Sequence, residues 1–194
     1  VTGLKDDHPV VGQLQISEVF WRYGGAWKDL LPEVRTGQIW RLFTATFLHA
    51  NVAHVLVNML MLYVFSRELE DLYGSKEFAA LYLVAGGCGT LLWAVSEAAT
   101  GHWITDMIGA SGAVMATVVV YAWHFPNREV LFMFFLPIKI WILAVLFIVY
   151  DVFTTMQSTS TVAAVAHLGG AGFGLLYKAL DLRLTSLFSG WNFR

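Results

Sequence analysis

The chain is short of charge and nearly without cysteine, and each shortage excludes something. Only 13% of its 194 residues are Asp, Glu, Lys or Arg, about half the share usual in a soluble domain. Cys88 is the only cysteine, which excludes an internal disulfide and a cysteine-rich metal cluster. It lies in Ala85-Gly86-Gly87-Cys88-Gly89 and reads as a small buried residue. There is no His-Glu-x-x-His pattern and no Cys/His spacing of the zinc type, so a metalloprotease is disfavoured. No Lys/Arg run accompanies the net charge of -2, and no nucleic-acid partner is expected. Repeats and low-complexity segments are missing too. The chain opens with Val1 in polar, loop-like sequence and shows no basic-then-apolar leader, so an N-terminal part is expected to precede it.

What is present is apolar sequence, 57% of the residues. Phe78 to Ser96, Ile108 to Trp123, Ile140 to Tyr150 and Val152 to Tyr177 carry no charge. Runs near the length that crosses a hydrocarbon core, about 20 residues, indicate a multi-pass membrane protein in a lipid bilayer. Helices are predicted from about Ala50 to Phe65, Glu77 to Ala99, Gly109 to Trp123, Lys139 to Phe153 and Val162 to Leu180, giving five crossings. Arg67 to Lys76 reads as a polar turn broken at Gly74-Ser75, and Pro126 stops the third helix. Val130 to Leu136, closed by Pro137, reads as a membrane-surface or re-entrant piece. Residues before about 38 read as a surface loop with one or two short helices, its Trp and Tyr residues suited to the membrane–water interface. Alternate loops hold Arg67 and Lys76, then Arg128, then Lys178 and Arg183, which marks the cytoplasmic side.

Two stretches carry chemistry. Gly109-Ala110-Ser111-Gly112 puts a serine at the start of an apolar helix, and Ala166-His167-Leu168-Gly169-Gly170 puts a histidine inside another. Polar groups at membrane depth are costly unless they are paired or line a wet cavity, and they point to function. The third helix is short for a crossing, so its start, with Ser111, is expected to lie recessed within the protein. Free N–H groups and the helix dipole there would favour an oxyanion; the plainer role is a helix cap or packing residue. His167 suits a general base, or else a hydrogen bond to a neighbouring helix. Gly170 and Gly174 lie roughly on its face, where small residues let helices touch. His54 and Asn58, four apart on one face, suit oxyanion donors or a polar pair between helices. His49 and His54 point about 140° apart. Asp106 and Asp151 stand near helix ends with no spacing that ties either to a histidine. The expected machinery is therefore a Ser–His dyad.

Trp40-Arg41, then His49, His54 and Asn58, then Glu70 with Gly74-Ser75, then Gly109-Ala110-Ser111-Gly112, then Ala166-His167 with Gly170 and Gly174, resemble the rhomboid intramembrane serine proteases in order and spacing over about residues 36 to 180. The resemblance implies an all-α, polytopic transmembrane helical bundle with a six-helix core, of which the first helix would lie before Val1. It implies residues 1–48 as an N-terminal interfacial loop region, 49–182 as the membrane-embedded catalytic domain and 183–194 as a C-terminal tail. Ser111 would be nucleophile and His167 base; His54, Asn58 and the Ser111 N–H would hold the oxyanion. Trp40 and Arg41 would belong to a lateral loop in the outer leaflet, and Glu70 to helix packing. The implied activity is serine endopeptidase cleavage of peptide bonds in or beside transmembrane segments of other proteins, with no metal or cofactor. Met115, four after the serine, stands where relatives often pack an aromatic ring on the catalytic histidine; a thioether can pack there too. The alternative is a non-catalytic relative that binds membrane-protein clients. A bacterial cytoplasmic membrane is the expected location; substrate identity and oligomeric state are not legible.

Overall fold

The structure, a computed structural model, describes residues 39–49, 51–100, 109–132, 135–157 and 162–188. The expected loop before residue 39, Asp106 and the tail beyond residue 188 lie outside the described residues.

A short helix α1 (Arg41–Thr44) and a 3-10 turn (Ala45–Phe47) lead into α2 (Val52–Tyr73). Then come α3 (Ser75–Thr100), α4 (Ser111–His124), strands β1 (Glu129–Phe132) and β2 (Leu136–Lys139), α5 (Ile140–Met156), α6 (Val162–Ala179) and a last 3-10 turn (Leu184–Phe188). The five long helices match the five predicted segments, with two differences. First, α2 runs about two turns past Phe65, through Arg67 to Asp71, and stops only at Gly74. Charged residues are good helix formers on an exposed face, so they do not end a helix as a turn residue does. Second, the described residues of the 130–136 stretch, expected as a membrane-surface or re-entrant piece, are mostly strand. They form part of an antiparallel hairpin, with Glu129 opposite Lys139 and Leu131 opposite Pro137. Val130, Phe132 and Ile138 lean on the core while Glu129, Leu131 and Pro137 face out, the two-residue alternation of a strand.

Every residue of α4 from Gly112 to Ala122 is buried. It is apolar all round, which suits a helix enclosed by others, and α2, α3, α5 and α6 pack around it. The outer faces are apolar as well: Leu56, Val57, Leu60 and Val64 of α2, Leu91 and Val95 of α3, and Val145, Leu146 and Val149 of α5 are exposed. Val52–Tyr73 and Ser75–Ser96 are long and apolar enough to cross a membrane, yet only 17% of the α2 window is buried. A core helix of a soluble protein would be mostly covered, so this exposed apolar surface is suited to lipid.

The basic loops gather at one end of the bundle. There Glu68 pairs with Arg128 and accepts the Tyr121 hydroxyl at 2.8 Å, and Arg183 lies over the Tyr73 ring. Beside them buried Glu77 accepts the Tyr177 hydroxyl, the Leu184 and Thr185 N–H groups and the Thr185 hydroxyl, at 2.6–2.8 Å. This ties the chain after α6 to the start of α3.

Candidate active site

The starts of α2 and α4 lie at the opposite end. Asn51 caps α2, its side chain accepting the His54 N–H at 2.9 Å, which sets the first turn and with it the His54 ring. One turn on, Asn58 is buried and donates one amide hydrogen to the His54 carbonyl at 2.9 Å. A carboxamide has two such hydrogens, and this bond uses one of them. His49 lies before α2, so the helical rotation expected to turn it about 140° from His54 does not apply; it stacks edge-on against His54 with ring centroids 5.0 Å apart. Burial keeps the His49 pKa below the ordinary 6.5 by desolvation, partly offset by a backbone hydrogen bond at Phe47.

Gly109 joins these groups to the serine. Its N–H donates to the Ala45 carbonyl at 3.1 Å, which moors it to the 3-10 turn, and its φ of 126° is one that side chains rarely adopt. A Cβ placed there would lie 2.8 Å from His54 Cε1, 2.9 Å from its Nε2 and 3.7 Å from Ser111 Oγ. The imidazole of His54 and the hydroxyl of Ser111 therefore border the same small space over a bare Cα. Ser111 is the first residue of α4, and Ala110 before it offers no side-chain cap. The N–H groups of that first turn are left pointing at the same region.

The helix bearing Ser111 and the helix bearing His167 meet backbone to backbone. A Cβ on Gly170 would overlap the Gly112 carbonyl, and one on Gly112 would lie 3.0 Å from the Ala166 carbonyl oxygen. Gly174 extends the seam against Ala116 at 2.9 Å, and Gly89 of α3 closes on the Ala166 carbonyl at 2.6 Å by the same measure. Gly112 follows Ser111 and Ala166 precedes His167, so the closest approach of the two helices brackets both side chains.

One partner was missed from sequence. Asp151 of α5 is 4% exposed, and its carboxylate oxygens stand 3.1 and 3.2 Å from His167 Nδ1. The expectation that no carboxylate reaches a histidine is corrected: spacing along one helix cannot report a contact made across two. The available signal was a lone acid between two charge-free runs, which at membrane depth points to function.

Other expected residues take different places. Glu70 is exposed and accepts the Ser75 hydroxyl across the α2–α3 turn, so it staples a turn; Glu68 and Glu77 make the contacts between elements. Trp40 is exposed at the head of α1, whose Phe43 lies against Gly87. Met115 packs with Ala171, Phe147 and Ile148, one turn from the His167–Asp151 pair along both α6 and α5. Cys88 is half-buried. Among the described residues no three His, Cys, Asp or Glu side chains converge as a metal site would need.

The model of the Rhomboid domain matches residues 36–184. The chain belongs to the rhomboid family. It is therefore membrane-integral, and its helical bundle is a rhomboid-like fold. It is 27% identical over 154 residues to RHOMBOID-like protein 12, mitochondrial, of Arabidopsis thaliana, covering 73% of this chain and 46% of that one. To presenilin-associated rhomboid-like protein, mitochondrial, of Bos taurus it is 31% identical over 151 residues, covering 70% and 36%. To Rhomboid-like protease 3 of Toxoplasma gondii it is 30% identical over 153 residues, covering 75% and 53%. The matched part thus spans about half or less of these rhomboid relatives. A bacterial cytoplasmic membrane finds no support in them, two being mitochondrial by name.

Proposed function

We propose that this rhomboid is an intramembrane serine endopeptidase acting on transmembrane segments of other proteins, with Ser111 as nucleophile and His167 as base. The observation that carries the reading is the glycine seam between α4 and α6, which brackets those two residues. As Ser111 Oγ bonds to the scissile carbonyl carbon, its proton passes to His167 Nε2 and the carbonyl electron pair moves onto oxygen. His54, the second amide hydrogen of Asn58 and the N–H groups opening α4 are the donors suited to that oxyanion. When the C–N bond breaks, the proton on Nε2 goes to the leaving amine. Water then repeats the sequence in reverse and frees Ser111.

Depth supports a membrane substrate. The 14 residues of α4 span about 21 Å, roughly 9 Å short of a hydrocarbon core. With its His124 end among the polar loops, Ser111 starts below the opposite surface. A segment reaching it has to unwind, because a helical peptide bond is shielded by its own hydrogen bonds.

The test is cleavage of a transmembrane substrate in liposomes by the intact protein, Ser111→Ala and His167→Ala, with a metal chelator in a parallel arm. Chelator-resistant cleavage lost in both variants is expected. Cleavage surviving Ser111→Ala refutes the mechanism. A folded protein that retains such segments without cutting them favours the client-binding alternative.

A further inference from the structure

A carboxylate buried between membrane helices is costly unless something answers its charge. Asp151 has 4% exposure, and its side chain's contact among the described residues is His167 Nδ1, met by both oxygens almost equally. The Thr154 and Thr155 hydroxyls bond to the Asp151 main-chain carbonyl and leave the carboxylate to the histidine. The two ring nitrogens of an imidazole point to roughly opposite edges. With Nδ1 turned to α5, Nε2 is turned away from it, and α6 is flanked on another side by α4 with Ser111.

We infer that Asp151 is a positioning residue that holds the His167 proton on Nδ1, leaves Nε2 unprotonated toward Ser111, and stabilises the imidazolium formed when Nε2 takes the serine proton. The chain then works with a Ser–His–Asp arrangement in place of a dyad. This rests on the protease reading above.

The chemistry follows from what a neutral imidazole can do. It carries one proton, and only the nitrogen without it can act as a base. In water the two tautomers interchange; a carboxylate at Nδ1 accepts that N–H and selects one of them. It also places a negative charge about 3 Å from a ring that becomes positive in the transition state. Packing supports the same role. Met115, Ala171, Phe147 and Ile148 close the space one turn along from the pair, so the carboxylate is shielded and held in register. Among the described residues, Asp151 of α5 meets His167 Nδ1, and His54 of α2, with His49 stacked against it, lies near enough to interact with the same ring. Of these Asp151 is the one acid.

Two readouts test it. In the first, kcat and KM for a transmembrane substrate are measured between pH 5.5 and 9 for the intact protein, Asp151→Asn, Asp151→Glu, Asp151→Leu and Ser111→Ala. Asp151→Asn keeps the size of the side chain, removes the charge and can donate to Nδ1. It is expected to lower kcat by about 100-fold or more with KM nearly unchanged. Asp151→Glu is expected to recover part of kcat, and Asp151→Leu none, though it folds. In the second, ¹⁵N shifts of histidine-labelled protein, with His167→Gln to assign the signal, report which ring nitrogen carries the proton at pH 8. A proton on Nδ1 that moves or becomes shared in Asp151→Asn supports the inference. A proton on Nε2 in the intact protein, or a kcat and tautomer unmoved in Asp151→Asn, overturns it while cleavage that needs Ser111 keeps the protease standing. If Ser111→Ala still cuts, the protease mechanism falls, and the nitrogen shifts decide on their own whether Asp151 holds the Nδ1 proton.

Discussion

Replacing Gly170 by alanine should separate the two halves of the site, and α6 carries its own controls. A Cβ at Gly170 would overlap the Gly112 carbonyl, a backbone atom that cannot swing aside as a side-chain tip does. At Gly174 the added methyl would lie 2.9 Å from the Ala116 carbonyl oxygen, a few tenths of an ångström too close, and at Gly172 nothing lies within 4 Å. Forcing a methyl into a closed seam costs about 1–3 kcal/mol. At Gly172 the loss of backbone freedom in the unfolded chain instead adds about 0.5–1 kcal/mol. Activity should spread further than stability. Relief at Gly170 requires α4 to move off α6 next to the pair Ser111 and His167, and a misplacement of about 1 Å at reacting groups can lower a rate about 100-fold. The expected order of cleavage rates is Gly172→Ala close to the intact chain, then Gly174→Ala, then Gly170→Ala, with thermal unfolding in detergent in the same order. If Gly170→Ala cuts as fast as Gly172→Ala and melts no lower, helix contact at Gly112 does not set the site, and the reasoning fails.

Three further outcomes are expected. Gly109→Ala places a methyl against the His54 ring at a φ of 126°; cleavage should drop at least about tenfold while the bundle, measured by circular dichroism, stays folded. Glu77→Ala leaves the Tyr177 hydroxyl and the buried Leu184 N–H without their acceptor; it should cost about 3 kcal/mol or more, lowering the melting temperature without changing kcat of the folded fraction. His49 has its pKa held below 6.5 by burial, so as pH falls the unfolded chain takes up that proton first. His49 therefore contributes stability above 6.5 that is lost as pH falls toward its lower folded value, and denaturation against pH should show a shallower acid slope in His49→Phe.

The helices were legible because each is an apolar run, and a run needs no partner to be seen. The boundaries that misled were those where polarity stood in for conformation. Arg67 to Asp71 is polar and still helical, since an exposed face tolerates charge and nothing before Gly74 stops the ladder. The hairpin at Glu129–Lys139 was hidden for the opposite reason: a short, mostly apolar run satisfies a strand, a helix edge or a surface segment alike. At the site, order and spacing pointed to Ser111, His167, His54 and Asn58. The structure brings His54 beside Ser111 through Gly109, and the helices of Ser111 and His167 together through Gly112 and Gly170. Asp151 stands 16 residues before His167, across a helix end and a loop, and Glu77 reaches Leu184 and Thr185 over more than a hundred. No periodicity relates such pairs, because the relation exists only after the helices have packed.

The placement of those two carboxylates separates two tasks. Glu77, at the end with the basic loops, receives four hydrogen bonds and holds the chain beyond α6 to α3. Asp151, near the far end of α5, meets one imidazole and leaves its geometry open to a single proton. A fully bonded buried carboxylate rigidifies its surroundings, whereas one with a single titratable partner has its charge coupled to that partner's protonation. Loss of Glu77 should therefore be felt as melting and loss of Asp151 as chemistry. Because the sites share no residue and sit at opposite ends, the effects of Glu77→Ala and Asp151→Asn should add in a double variant to within about 0.5 kcal/mol. A larger departure in either direction would mean that the glycine seam transmits strain from one end of the bundle to the other.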